Sequence, residues 1–119
     1  MTTQEIAEKL ISYCREGKWE AAQKELYADD AVSIEAEASP AFEKVTQGLT
    51  GIIAKGKAFD SMVEEFYSLT VSEPLVEGAA FAITMKMDVK LKGQERGIMS
   101  ELCVYEVKGG KVISEQFYP

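Results

Sequence analysis

Residues 79–93 read AAFAITMKMDVKLKG, the most regular alternation in this chain of 119 residues. Phe81, Ile83, Met85, Met87 and Val89 fall on one side, and Thr84, Lys86, Asp88 and Lys90 on the other. A period of two with one apolar and one charged side is what an antiparallel strand shows when one face of its sheet is buried and the other wet. Toward the C-terminus, SELCVYEVKGGKVISEQFYP (residues 100–119) repeats the pattern on both sides of Gly109-Gly110, so it reads as a closing hairpin. From Leu69 onward the chain is therefore read as strands, with Pro74 marking an edge or an interruption.

Toward the N-terminus the period changes to that of a helix. Thr2 stands three residues before Glu5, the spacing of a capping box, and Ile6, Leu10, Tyr13 and Cys14 follow at helical intervals up to Gly17. A second helix over KWEAAQKELYADD places Trp19, Ala22 and Leu26 on one face, and the short joint makes the two helices neighbours. Val32 and Ile34 alternate with Ser33 and Glu35 as in a short strand, and residues 37–47 read as a loop. A third helix is expected from about Thr50, burying Ile52, Phe59, Met62, Val63 and Phe66. Gly56 lies on that buried side at a cost of about 1 kcal/mol relative to alanine, so either another backbone packs close to it or a space is left open.

Helix, helix, strand, helix, then hairpin-linked strands define one α+β domain over residues 1–119. A curved, mostly antiparallel sheet wraps around the N-terminal helices as a cone-shaped α+β barrel. Such a sheet closes imperfectly and leaves a pocket at its open end.

The composition, 46% hydrophobic and 28% charged, is that of a soluble globular domain, and the length allows only one. A net charge of −7 repels phosphate backbones, so nucleic acid is not expected as a partner. No apolar run has membrane-spanning length, and MTTQEIAEKL carries no basic-then-apolar leader, which favours the cytoplasm. Cys14 and Cys103 lack metal or redox spacing and read as small core residues. The chain has no histidine, which removes imidazole bases, Ser-His and Cys-His pairs and nearly every zinc site. No metal or cofactor is expected, and acid–base chemistry would fall to carboxylates, tyrosine, lysine or cysteine.

The closing hairpin carries two such carboxylates. With a three-residue Lys108-Gly109-Gly110 loop, Tyr105 faces Ile113, Cys103 faces Glu115 and Glu101 faces Phe117. An odd loop about Gly93 likewise sets Met87 opposite Met99 and Met85 opposite Glu101. Glu101 and Glu115 then become diagonal neighbours in a bowl of Ile83, Met85, Met87, Met99, Cys103, Tyr105, Ile113 and Phe117. A two-residue Gly-Gly turn would instead put Glu115 beside Val104 on the other face and split the pair. In the paired arrangement desolvation and mutual repulsion favour protonation of one carboxyl, giving a group that can donate a proton beside one that can accept it. Leu102 and Val104 would project outward beside Thr84 and Lys86 as an apolar surface for a partner.

Three stretches, LYADDAV, QGLTGIIAKGKAF and YEVKGGKVISEQFY, taken in order across the whole chain, resemble the nuclear transport factor 2-like superfamily and, within it, the SnoaL-like, polyketide-cyclase-related domains. The resemblance implies the cone-shaped fold and a symmetric homodimer through the outer sheet face. Members similar to ketosteroid isomerase carry a carboxylate base eight residues after the aromatic of the first motif, which corresponds to Glu35. Their oxyanion tyrosine falls near Tyr13, and the position of their protonated aspartate falls at about Cys103. Cyclases and dehydratases of the superfamily lean on histidine, which this chain lacks.

Three functions follow as expectations. The first is a domain binding a small apolar or amphipathic molecule against Tyr13, Met85, Met87, Cys103, Tyr105 and Phe117. The second is a proton-transfer enzyme of isomerase, cyclase or dehydratase type using Glu101, Glu115 or Glu35. The third is a purely structural module whose pocket is too small for a ligand.

Overall fold

The computed structural model describes residues 1–119. Helix α1 (Thr3–Arg15) begins with the anticipated box: the Glu5 amide donates to Thr2 Oγ1 at 3.1 Å and the Thr2 amide donates to Glu5 Oε1 at 2.8 Å. It buries Ile6, Ala7, Leu10, Ile11 and Cys14, and the chain turns away at Gly17, whose φ of 72° suits glycine. Helix α2 (Trp19–Leu26) runs directly into strand β1 (Tyr27–Ile34). Strand β2 (Val45–Gln47) pairs with β1, so the end of the stretch read as a loop is a short edge strand.

Helix α3 (Leu49–Met62) passes without a loop into strand β3 (Val63–Val71). This corrects the third helix: Val63 and Phe66 belong to the strand, and Phe66 is 49% exposed. Phe59, Met62, Val63 and Phe66 fit a helical stripe, but backbone pairing with residues 85–91 of the long hairpin competes and prevails. Strands β4 (Leu75–Glu77), β5 (Ala80–Leu91), β6 (Gly97–Lys108) and β7 (Lys111–Tyr118) complete the chain. The sheet order is β2-β1-β7-β6-β5-β3, with β4 on the same edge of β5 as β3. All pairings are antiparallel except β1 with β7. The sheet is curved, unclosed and covered on its concave side by the three helices.

The β5–β6 register is the expected one, with Met85 opposite Glu101 and Met87 opposite Met99. The closing hairpin differs. Gly109 and Gly110, at φ 62° and 75°, make a two-residue turn with Lys108 opposite Lys111. That turn alone would have sent Glu115 to the outer face. A bulge between the Val107–Val112 and Glu106–Ser114 pairs restores the parity by skipping Ile113. Tyr105 therefore faces Glu115 and Cys103 faces Phe117. Both glutamates share the concave face, but a Cys103–Phe117 pair stands between them, so they are not diagonal neighbours. Val112, fully buried, takes the inward place assigned to Ile113.

The packed core lies at one end of the cone, where Ile6, Leu26, Phe81, Ile83, Tyr105 and Val112 are buried and Phe81 stacks on Tyr105 with ring centroids 4.7 Å apart. Gly56 resolves toward the open alternative. A Cβ there would meet nothing nearer than Trp19 Cδ1 at 3.9 Å.

Candidate functional site

A cavity of about 460 Å³ occupies the other end of the cone. Its walls are Trp19 of α2, Phe42 of the β1–β2 loop, Ile52 and Phe59 of α3, and Met85, Met87, Met99 and Phe117 of the sheet. That volume and lining suit a small organic molecule.

The polar part of the wall starts on β1. Tyr27, Ala31 and Ser33 are the buried residues of β1, which is irregular between Tyr27 and Val32 and alternates from Ala31 onward, and Ser33 is fully buried. A buried hydroxyl needs partners, and Ser33 has two. It donates to Glu115 Oε2 at 2.6 Å and accepts from Lys55 Nζ at 2.6 Å. Lys55 also donates to Glu35 Oε1 at 2.9 Å, and the Tyr27 hydroxyl donates to Glu115 Oε1. A continuous network thus runs from Glu35 through Lys55 and Ser33 to Glu115 and Tyr27. Glu115 is 3% exposed, and burial pushes its pKa up against the opposing hydrogen bonds from Ser33 and Tyr27 and the charge of Lys55. The Tyr27 and Tyr105 hydroxyls are held well above their usual pKa, first by burial.

Glu101 stands outside this network. Its one side-chain contact is a weak one from Cys103 Sγ at 3.9 Å, and it faces Met85 across the ladder. Burial, then the charges of Glu35 and Glu115, raise its pKa to about 7. A carboxyl with that pKa exists in both protonation states near neutrality and can give or take a proton.

Of the residues named from sequence, Glu35, Glu101, Glu115, Met85, Met87, Tyr105 and Phe117 line the cavity. Tyr13 does not; its hydroxyl donates to Glu25 Oε1 at 2.6 Å across the α1–α2 pair. Its ring packs against the edge of the core while Cys14 is buried within it, so Tyr13 is taken up between the two helices. Cys103 is fully buried behind the wall, and burial raises its thiol pKa well above the usual value. Sequence reasoning missed Tyr27, Ser33 and Lys55 as site residues. One signal was present: if Glu35 faces the pocket, period two places Ser33 there as well. No group of three or more Cys, Asp or Glu side chains is arranged to hold a metal ion.

A family model, the SnoaL-like domain, matches residues 1–119. The chain belongs to the SnoaL-like domain family. No curated protein matches it at a significant level. Among solved structures, a Mesorhizobium loti protein described as a candidate SnoaL-like polyketide cyclase [carbohydrate phosphatase] is 33% identical, with a TM-score of 0.92 and all of both chains covered. A Xanthomonas campestris protein of cystatin-like fold is 14% identical, with a TM-score of 0.83 over 99% of this chain and 90% of that one. A Catenulispora acidiphila protein of ketosteroid isomerase-like fold, solved with trimethylamine, is 19% identical, with a TM-score of 0.75 over 99% and 87%. At 14% and 19% identity these last two support the fold alone.

Proposed function

We propose that this SnoaL-like domain binds a small, partly apolar or amphipathic molecule in the cavity and presents Glu101 to it. The observation that carries the reading is an unpaired carboxyl set in a methionine and aromatic wall beside an open volume of about 460 Å³. A carboxyl left without a partner in such a wall is costly unless a ligand meets it. Thermal-shift measurements with a panel of aromatic and terpenoid alcohols and ketones test this, using a cavity-blocked Met87→Trp variant as control. Some members should stabilise the wild type by a few degrees and leave the variant unmoved. A flat response from the wild type across the panel removes the proposal.

A second reading, proton-transfer catalysis, is favoured by the Glu101 pKa of about 7. Glu101 would take a proton from a carbon beside a carbonyl and return it elsewhere on the same skeleton. Lys55, the one cationic side chain lining the cavity, would offset the charge developing on the oxygen. The exchange of the α-protons of 2-tetralone in D₂O, followed by NMR, tests the step. Wild type should exceed buffer, and Glu101→Gln should not. Exchange at the buffer rate with wild type ends this second reading and leaves the binding one standing.

Two further expectations concern surroundings. Leu102 and Tyr118 pair on the convex face at 40% and 45% exposure, which supports a second copy of the chain as partner for that face. Light scattering should give a dimer that Leu102→Asp splits, and a monomeric wild type excludes it. Free, buried Cys14 and Cys103 are consistent with residence in the reducing cytoplasm.

A further inference from the structure

Four charged side chains line the cavity, the carboxylates Glu35, Glu101 and Glu115 and the ammonium of Lys55. The lysine is already engaged. Its Nζ donates to Ser33 Oγ and to Glu35 Oε1, and it stands 5.4 Å from the ring centroid of Phe117. Glu115 accepts from Ser33 and Tyr27. Glu101, on β6, is left without a positive partner, its one side-chain contact being the Cys103 thiol at 3.9 Å. Glu35 from just past β1, Glu115 from β7 and Lys55 from α3 all act on it, and with burial the two carboxylates outweigh the lysine and hold its pKa at about 7. Trp19, Phe42, Phe59 and Phe117 supply the aromatic part of the same wall. Aromatic rings attract a cation in a way that an aliphatic wall does not.

We propose that the cavity selects an organic cation, a hydrophobic amine in its ammonium form, which pairs its charge with Glu101 and lays its body against the aromatic and methionine wall. The proposal rests on the binding reading above and deepens it by naming the charge of the ligand. Glu101 is partly exposed rather than sealed, so a head group in the cavity reaches its carboxyl. A neutral hydroxyl can meet that carboxyl too, but only a cation also offsets three carboxylates that share one lysine. Charge-assisted hydrogen bonds are about twice as strong as neutral ones, so the head group does the selecting. An organic anion meets the opposite field, and the lysine it would need is held by Ser33 and Glu35. The pairing also has a pH signature. The cation pairs with ionised Glu101, so its affinity is full above about pH 7 and falls as the carboxyl takes up a proton below it.

The probes are 2-naphthylmethylamine, charged at both pH values used, and 2-naphthylmethanol, which has the same outline and no charge. Both are titrated calorimetrically into wild type and Glu101→Gln at pH 8 and pH 5.5. At pH 8 wild type should bind the amine about ten- to hundredfold more tightly than the alcohol, as a charge-assisted hydrogen bond predicts. At pH 5.5 that preference should shrink about tenfold or more, through loss of amine affinity and not gain of alcohol affinity. Glu101→Gln should bind the two probes alike at both pH values. Equal affinities in wild type at pH 8 overturn the proposal while leaving the cavity reading intact. A preference that survives Glu101→Gln overturns it equally, because general attraction to the chain's net negative charge would give that result. If neither probe binds wild type, the cavity reading fails and this inference with it. Should Glu101→Gln not fold, the wild-type titrations at the two pH values decide: an amine preference that does not fall between pH 8 and pH 5.5 refutes the assignment to Glu101.

Discussion

Strand β5 passes through two different environments within seven residues. Phe81 and Ile83 are 2% and 1% exposed, and two steps further Met85 and Met87 are half-buried in the cavity wall. The strand's own alternation is unbroken, so the difference comes from the helices above it. Helix α1 buries five side chains, of which only Leu10 and Cys14 reach the cavity wall, whereas α3 fully buries only Ile52, itself part of that wall. The half covered by α1 supplies the packing that holds the sheet. The half under α3 is where volume, polar atoms and an unpaired carboxyl gather. Tight packing and open volume are thus divided along the length of the same strands.

The largest test of that division is a truncation at each end. Phe81→Ala removes a buried ring stacked on Tyr105 and should cost about 3–5 kcal/mol in urea unfolding. Met87→Ala, at a wall that already adjoins open space, should cost under about 1 kcal/mol. Equal costs at the two positions would mean that the open end is packed like the closed one.

The next effect is electrostatic. The folded pKa of Glu101, about 7, lies above its ordinary value of 4.5, so the folded state holds a proton that the unfolded state has released between those pH values. Stability is therefore fully present below about pH 4.5 and lost as pH rises through 7. Glu115 is shifted in the same direction and adds to the slope. Glu101→Gln carries no titrating proton, so it should match wild type near pH 4.5 and exceed it at pH 8 by on the order of 2 kcal/mol. A variant that follows the wild-type curve at every pH would show that Glu101 is well solvated.

How far these two ends were legible follows from what kind of pattern each rests on. The closed end rests on local periodicity, and Ile6, Leu10 and Cys14 on α1 and Phe81 and Ile83 on β5 are readable from spacing alone. The site rests on pairings between distant segments. Lys55 sits on a helix face like any solvated lysine, and only the arrival of Glu35 and Ser33 from β1 and its following residue shows that it is held inside. Tyr13 and Tyr27 are both aromatics at helix ends, and nothing local says that the first turns to Glu25 and the second to Glu115. The shared face of Glu101 and Glu115 was reached from the wrong turn: a two-residue turn plus a bulge has the same parity as the three-residue loop, and parity is what decides the face. The α3–β3 junction is misread from sequence because residues 59, 62, 63 and 66 satisfy the helical period, while the partners that claim the last two, Leu91 and Val89, lie more than twenty residues away.

The smallest effect is the most discriminating about the open end. Gly56 sits within α3, lines the cavity, and has only Trp19 Cδ1 at 3.9 Å from where a Cβ would stand, an ordinary contact distance. Helix propensity alone then makes Gly56→Ala stabilising by up to about 1 kcal/mol, a rise of a few degrees in Tm. The same methyl narrows the cavity beside Trp19, so an aromatic alcohol that stabilises the wild type in the thermal-shift panel should bind the more stable variant more weakly. Opposite signs for stability and affinity at one atom are what a helix kept loose for a ligand produces. A helix merely packed tight at that glycine would lose both, because the methyl would have to force its neighbours apart.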